Sequence, residues 1–116
     1  MVKLAIVGSR NYGDEKYPQI RKEVGLLKRK YEITEIITGG ARGIDTLAAR
    51  YAREENIPLT IIRPDWKKYG RSAGILRNKE IVNACDILLA VWNGASPGTE
   101  DTIQKISCAG KPFVVI

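Results

Sequence analysis

Two glycine-rich segments contain the residues best suited to binding an anion. TGGARGID, residues 38–45, follows an apolar run and leads into a helix-like pattern. NGASPGTED, residues 93–101, has the same arrangement. Glycines let a ligand approach the backbone, and the first turn of a helix offers free N–H groups and about half a positive charge. Phosphate is therefore the ligand group that both segments predict.

A third glycine-bearing turn, GSRN at residues 8–11, also follows an apolar run. One such loop is equally typical of an ordinary turn, whereas three loops with arginines and hydroxyls added favour an anion site. Asp45 fits two compatible roles: it stabilises a helix N-terminus by about 0.3 to 1 kcal/mol, or it accepts a hydrogen bond from a ribose hydroxyl. The predicted ligand-binding residues of the three turns are Gly8, Ser9, Arg10, Gly39, Gly40, Arg42, Gly43, Asp45, Gly98 and Thr99.

Three further side chains are candidates for the same site. Arg77 and Asn78 fall on the helix stripe that must face the sheet, since Arg77 lies one turn before Ile81. Burying such groups without partners is costly, so we predict that both point into a ligand crevice. A salt bridge with an internal carboxylate is the alternative for Arg77. Trp66, in a loop at residues 63–74, either stacks on a base for about 1 to 3 kcal/mol or covers the core or a subunit interface.

Five short runs rich in Val and Ile predict the strands that position these turns, each covered on both faces. Helical patterns between them give the order βαβαβαβαβ, a parallel sheet wound on both sides. We therefore predict one Rossmann-like α/β domain over residues 1–116. The strand order 3-2-1-4-5 is favoured because it brings the turns after strands one, two and four into one crevice, while a flavodoxin-like order stays open. The predicted strands are residues 4–7, 35–38, 59–62, 87–92 and 112–116.

Composition excludes several chemistries. The chain has no histidine, which removes Ser-His-Asp and Cys-His nucleophile systems and the commonest metal ligand, so we expect neither a metal nor a cofactor. No GK[ST] follows either glycine loop, and neither loop has the GxGxxG pattern with a ribose-binding acid, so P-loop kinases and ordinary dehydrogenases are disfavoured. Cys85 and Cys108 stand in apolar surroundings and are predicted to pack in the core.

The net charge of +6 favours anionic partners, whether nucleotides or nucleic acid. No apolar stretch approaches the ~18 residues of a membrane helix and no signal peptide is recognisable, so we expect a cytoplasmic protein without a membrane partner. A homodimer stays an open alternative, because no apolar stripe establishes one.

Several of these motifs occur together in one known superfamily. GSR, TGGARGID, PDW at residues 64–66, the AG..RN pattern at residues 73–78 and SPGT at residues 96–99 resemble the SLOG superfamily of Rossmann-like domains, most closely its YspA-like branch. The match runs in order over essentially the whole chain. The resemblance implies a nucleotide-shaped site with phosphate at Gly39, Gly40 and Gly43 and at Gly98 and Thr99.

The superfamily includes the LOG phosphoribohydrolases, in which an arginine and a glutamate cleave the N-glycosidic bond of a nucleoside monophosphate. Arg77 matches that arginine. The position of the glutamate falls on Thr102, while acids stand at Glu100 and Asp101 instead, so these two are the candidates for the catalytic carboxylate.

Three functions follow from these patterns. The first is binding or sensing of a nucleotide-derived ligand such as a nucleoside phosphate, NAD or ADP-ribose, at the ends of strands one, two and four. The second is an enzyme, a nucleoside 5′-phosphate N-glycosidase that uses Arg77 with Glu100 or Asp101. The third is single-stranded DNA binding, resembling the DNA-processing proteins of the same superfamily, which would show steep salt dependence.

Overall fold

The computed structural model describes residues 1–116 and contains one parallel sheet of five strands. The order β3-β2-β1-β4-β5 confirms the predicted order 3-2-1-4-5 and excludes the flavodoxin-like alternative. Each crossover between neighbouring parallel strands contains at least one helix. The strands are β1 Val2–Gly8, β2 Ile33–Thr38, β3 Leu59–Ile61, β4 Ile87–Val91 and β5 Phe113–Val115.

Four long helices and one short helix connect these strands, together with 3-10 turns at Asp14–Lys16 and Gly70–Ser72. Pro18 stands in the first turn of the first helix, where its missing N–H costs nothing. None of the helices combines the length and apolar character that crossing a membrane requires. The helices are α1 Tyr17–Lys28, α2 Ile44–Glu54, α3 Trp66–Tyr69, α4 Ala73–Ala84 and α5 Pro97–Cys108.

The predicted loop at residues 63–74 is wrong in part, because α3 and a 3-10 turn lie within it. The Asp65 carboxylate accepts the Lys68 backbone N–H at 3.0 Å, which caps the start of α3. Gly70, with φ +56°, ends the helix after one turn. A single turn carries too little hydrophobic periodicity to be distinguished from a loop.

The side chains of the central strands alternate between two cores, one on each face of the sheet. Leu4 and Ile6 of β1 pack with α1 and α2, whereas Ala5 and Val7 pack with α4 and α5. This alternation is the period of two expected of a strand that is covered on both sides. The two faces therefore confirm the doubly wound architecture.

Strand burial was predicted too widely at both edges of the sheet. In β3, Thr60 is exposed and Leu59 and Ile61 are half-buried. Phe113 and Val115 of β5 are 38% and 42% exposed, because β5 has a neighbour on one side only and is three residues long. Cys108, at the end of α5, is also exposed, so its predicted core position is wrong, whereas Cys85 is buried as predicted.

The register places the ends of the central strands at one level. Gly8, the last residue of β1, pairs with Val91, the last residue of β4. Thr38 ends β2 and donates its hydroxyl to the Ile6 carbonyl at 2.8 Å. The turns after β1, β2 and β4 consequently begin side by side at the carboxyl edge of the sheet, as the strand order predicts.

Close packing between β1, β4 and α2 depends on Gly8. A Cβ at that position would lie 2.4 Å from the Val91 carbonyl oxygen and 2.6 Å from Cγ1 of Ile44. We expect Gly8→Ala to lower the free energy of unfolding by about 1 to 3 kcal/mol, since backbone or a core side chain must move. The measurement is urea unfolding followed by circular dichroism.

Gly25→Ala provides the matched control. Gly25 lies inside α1 and a Cβ there would have no neighbour within 4 Å. Alanine has the higher helix propensity, so this variant is expected to gain up to about 1 kcal/mol. Equal stability of Gly8→Ala and wild type would contradict the close approach of the three elements.

Candidate functional site

A crevice at the carboxyl edge of the sheet consists of two connected lobes that share Arg10, Ala41, Arg42 and Arg77. The inner lobe, of about 370 Å³, extends from these shared residues to the N-terminus of α5. The outer lobe, of about 690 Å³, extends to the segment after β3. Besides the shared residues, the inner lobe is lined by Val7, Gly8, Asn11, Asp45, Asn78, Ile81, Ser96, Pro97, Gly98, Thr99 and Thr102. Besides the shared residues, the outer lobe is lined by Gly40, Arg63, Pro64 and Trp66.

The structure brings most of the predicted site residues to this crevice. Segments far apart in the chain supply them, namely the turns after β1, β2 and β4, the middle of α4 and the start of α5. Among the predicted residues, those lining the inner lobe are Gly8, Arg10, Arg42, Asp45, Arg77, Asn78, Gly98 and Thr99. Gly40 and Trp66 line the outer lobe.

Ser9 lies beside the crevice and joins two of its walls. The side chain is completely buried, and its Oγ accepts the Asn93 backbone N–H at 3.1 Å. The Ser96 hydroxyl is hydrogen-bonded to the same oxygen at 2.9 Å. Ser9 therefore fixes the turn after β1 to the turn after β4 and does not line either lobe.

Gly39 and Gly43 also lie outside both lobes, and protein atoms fill the space on their Cβ sides. A Cβ at Gly39 would lie 2.6 Å from Nη1 of Arg77. A Cβ at Gly43, with φ +78°, would lie 2.5 Å from the Ser9 carbonyl oxygen and 2.7 Å from Cα of Arg10. These two glycines allow neighbouring segments to approach each other, which is a packing role.

Arg77 and Asn78 form the floor of the inner lobe and are 8% and 6% exposed. The Arg77 guanidinium donates to the Gly39 carbonyl, and its Nε donates to Oδ1 of Asn78 at 3.0 Å. The Asn78 amide in turn donates to Oδ2 of Asp101 at 3.0 Å. Neither hydrogen bond of Arg77 is to a carboxylate. Its side chain is therefore positioned by a carbonyl and an amide oxygen, and not by the salt bridge that was the predicted alternative.

Asp45 is the one acidic side chain that lines the inner lobe, and it is 5% exposed. Its Oδ2 accepts the Ala41 backbone N–H at 3.1 Å, whereas Oδ1 is buried without a hydrogen-bond partner. Burial raises the pKa of this carboxyl, and the Ala41 N–H, the Arg77 charge and the nearby Thr38 hydroxyl and Gly39 N–H only partly oppose the rise. A buried carboxylate oxygen without a partner is costly, so the site favours a ligand that brings a donor to Oδ1.

Positive charge surrounds this carboxylate. Arg10 and Arg42 are exposed at the mouth of the crevice, and Arg77 lies below them. Burial lowers the pKa of Arg77; the charge of Asp45 raises it and that of Arg10 lowers it further. The lobe therefore presents three cations and one anion to a ligand, which suits a group with net negative charge.

The N-terminus of α5 supplies donors to one wall of the inner lobe. Gly98 and Thr99 lie in its first turn, where backbone N–H groups have no partner within the helix. A Cβ at Gly98 would have no neighbour within 4 Å, so the approach to the backbone is open there. Together with the arginines, this turn can hold a phosphate.

The two carboxylates proposed for catalysis occupy different positions. Glu100 is exposed and lines neither lobe. Asp101 also lies outside both lobes, with Oδ1 bonded to Lys105 and Oδ2 to Asn78. The carboxylate that does face the inner lobe is Asp45.

The crevice includes residues that the sequence patterns did not single out. Asn11 follows the first turn, and Arg63 follows β3 by two residues at the same edge of the sheet. Thr102 lies one helical turn after Thr99 and bonds to the Gly98 carbonyl at 3.1 Å. The signal for Arg63 was its place after a strand. Thr102 is the position on which the LOG glutamate falls, but it was not predicted as a site residue because it carries no carboxylate.

The raised pKa of Asp45 predicts that this residue destabilises the folded protein near neutral pH. The pKa of Asp45 in the folded state lies above the unfolded-state value of about 3.9. The protonated carboxyl therefore makes its full contribution to stability when the pH is below the unfolded-state value. That contribution is lost as the pH rises through the folded-state pKa. Asp45→Asn, of the same shape without charge, should therefore be more stable than wild type near neutral pH.

The difference should shrink as the pH falls through the folded-state pKa of Asp45, and it should vanish below the unfolded-state value of about 3.9, where the carboxyl is neutral in both states. Urea unfolding of both proteins across this pH range measures it. A variant that is less stable than wild type near neutral pH would show that the Arg77 charge outweighs burial.

The amino-acid sequence also has recognisable relatives. Residues 2–69 match the model of the YspA, cpYpsA-related SLOG family. The Gene 61 protein of Mycobacterium phage D29 is 35% identical over 120 residues, which cover 98% of this chain and 95% of that protein.

Two solved structures share the fold at low sequence identity. DNA processing protein A (DprA) from Streptococcus pneumoniae superposes with a TM-score of 0.78 at 20% identity, over 97% of this chain and 49% of that one. The chain thus spans about half the length of DprA. The structural-genomics protein TM1055 gives a TM-score of 0.68 at 23% identity, over 97% of this chain and 72% of that one. The two structural similarities show the fold alone, whereas the sequence matches show to which family the chain belongs. The chain belongs to the YspA, cpYpsA-related SLOG family.

Proposed function

We propose that the protein binds a nucleotide-derived ligand through its sugar and phosphate in the inner lobe. The observation that carries this proposal is Oδ1 of Asp45, a buried acceptor without a partner at the floor of an otherwise positively charged crevice. A phosphorylated sugar meets both conditions, because it combines hydroxyl donors with a negative charge.

The phosphate lies at the mouth of the inner lobe in this proposal. Arg10 and Arg42 supply positive charge from one side, and the first turn of α5 supplies N–H donors from the other. Guanidinium groups suit phosphate because several N–H donors are held in one plane. Neither arginine is held in a salt bridge, so both are available to a ligand.

The sugar lies deeper, against Asp45. A hydroxyl that donates to Oδ1 would relieve the cost of the unpartnered oxygen, and this relief is obtained only when the ligand is bound. A bare phosphate could donate to Oδ1 only by bringing its own negative charge against Asp45, whereas a sugar hydroxyl donates without carrying a charge. The site therefore favours a sugar phosphate over inorganic phosphate.

Binding is favoured over N-glycosidic hydrolysis by the positions of the acidic residues. Glu100 is exposed and lines neither lobe, and both oxygens of Asp101 are already bonded to other side chains. Hydrolysis needs a free carboxylate near the anomeric carbon. Asp45 faces the lobe, but a role in holding the sugar already accounts for its position.

The binding test is a comparison of AMP, ribose 5-phosphate, ADP-ribose, NAD and inorganic phosphate by isothermal titration calorimetry. We expect the phosphorylated sugars and nucleotides to bind and phosphate alone to bind at least tenfold more weakly. Mass spectrometry after incubation should recover each nucleotide intact. Release of free base would instead support the N-glycosidase.

Arg42→Ala tests the phosphate contact. We expect the dissociation constant of AMP to rise at least tenfold, which is about 1.4 kcal/mol and within the range of a charged hydrogen bond. Arg53→Ala is the matched control, because Arg53 is an exposed arginine in the last turn of α2, far from the crevice. Both variants lower the net charge by one, so a general electrostatic effect would change them equally.

Equal losses in the two variants would contradict a phosphate at Arg42. Binding that strengthens with oligonucleotide length and falls steeply with salt would favour single-stranded DNA over a nucleotide.

A further inference from the structure

The outer lobe contains two side chains, Arg63 and Trp66, that the proposed sugar-phosphate site does not use. Four of its eight lining residues are arginines, none is acidic, and one is a tryptophan. Arg63 and Trp66 belong to this lobe alone, whereas Arg10, Arg42 and Arg77 face both lobes. An aromatic ring beside several guanidinium groups is a combination that suits a nucleobase with an attached phosphate.

Trp66 is placed as a binding surface and not as part of the core. The residue is 53% exposed and is not among the buried core residues. One side of the indole rests on the start of α4, where a Cβ at Gly74 would lie 3.6 Å from Cη2 of Trp66. The ring therefore has a support behind it, and its exposed part contributes to the outer lobe.

Arg63 lines the outer lobe and not the inner one. Its Nη1 is 3.5 Å from the Gly40 carbonyl oxygen, a long hydrogen bond that a phosphate could replace. No carboxylate pairs with it. Arg63 thus provides a positive charge that is weakly held by the protein.

The size of the crevice exceeds that of a single sugar phosphate. The inner lobe of about 370 Å³ is near the lower end of small-molecule sites, whose range is about 300 to 1,000 Å³. The outer lobe adds about 690 Å³ and is continuous with it across the shared arginines. Space for a second unit therefore begins where the phosphate of the first unit is held.

We propose that the outer lobe is a second subsite and that the ligand has two parts joined by a pyrophosphate. The sugar of one part lies against Asp45, the pyrophosphate lies across Arg10 and Arg42, and the base of the other part stacks on Trp66 beside Arg63. This inference rests on the proposed function, because it starts from a sugar phosphate in the inner lobe.

The geometry favours a compact ligand over a nucleic-acid strand. Asp45 and Asn78 on the floor of the inner lobe are 5% and 6% exposed, so a ligand group that enters the lobe stops against buried side chains. A strand of many nucleotides would leave most of its phosphates outside the two lobes. A ligand with two ends fills both lobes.

The test compares ribose 5-phosphate with ADP-ribose as probes of one and two lobes, measured by calorimetry on the full chain. We expect wild type to bind ADP-ribose at least tenfold more tightly than ribose 5-phosphate. Trp66→Ala and Arg63→Ala should each weaken ADP-ribose about tenfold and change ribose 5-phosphate less than twofold. Such a split locates the loss in the outer lobe.

Matched controls separate stacking and local charge from general effects. Tyr69→Ala removes another exposed aromatic side chain of α3 that does not line the lobe. Arg71→Ala removes a nearby exposed arginine that also lies outside it. Both controls should bind the two probes as wild type does, and thermal unfolding should confirm that all four variants fold.

The outcomes distinguish the two proposals. Equal affinities for the probes, or ADP-ribose binding that Trp66→Ala and Arg63→Ala leave unchanged, would overturn the second subsite while the inner site stands. Absence of binding by both probes would overturn the proposed function itself. Tighter binding of long oligothymidylate than of ADP-ribose, lost in Trp66→Ala, would replace the two-part ligand with a nucleic-acid strand.

Discussion

The close placement of two opposite charges beside Gly39 is the constraint on which the site depends. A Cβ at Gly39 would lie 2.6 Å from Nη1 of Arg77 and 2.9 Å from Oδ2 of Asp45, so only glycine leaves room for both groups. Removing charges from water is costly unless they are paired and fully hydrogen-bonded. Arg77 finds two acceptors, whereas Oδ1 of Asp45 finds no donor. The fold therefore leaves one buried acceptor, Oδ1 of Asp45, without a donor, and Asp45 lines the crevice.

Around this unpartnered oxygen the polar groups form two sets, hydrogen-bonded side chains on the floor of the crevice and exposed arginines at its rim. Arg77, Asn78 and Asp101 are linked by hydrogen bonds that connect α4 to α5, and Ser9 links the turns after β1 and β4. Arg10 and Arg42 at the rim have no such bonds and remain exposed. A fixed floor lowers the entropy cost of binding, while exposed arginines attract an anion and adapt to its shape.

Much of the fold could be predicted because its signals are local or follow from general rules. Short apolar runs identified all five strands, and the convergence of three turns supported the strand order that the structure shows. The short helix α3 was wrongly predicted to be a loop, and Cys108 and β5 were wrongly predicted to be buried. These errors share one cause, which is that the sequence does not distinguish the alternatives. A single helical turn looks like a loop, the exposed last turn of a helix looks like a buried turn, and an edge strand looks like a central strand.

For the site, the sequence by itself determined which residue types were available: glycine turns after strands, arginines beside them, and no histidine. It also indicated that Arg77 and Asn78 face inward, because helical periodicity depends on neighbours in the chain. Only the tertiary structure decided what each residue does. Gly43 and Ser9 join segments, Asp101 is engaged by α4, and Asp45 is left with an unpartnered oxygen. These roles depend on which atoms from distant segments come within hydrogen-bond distance, and spacing along one chain does not contain that information.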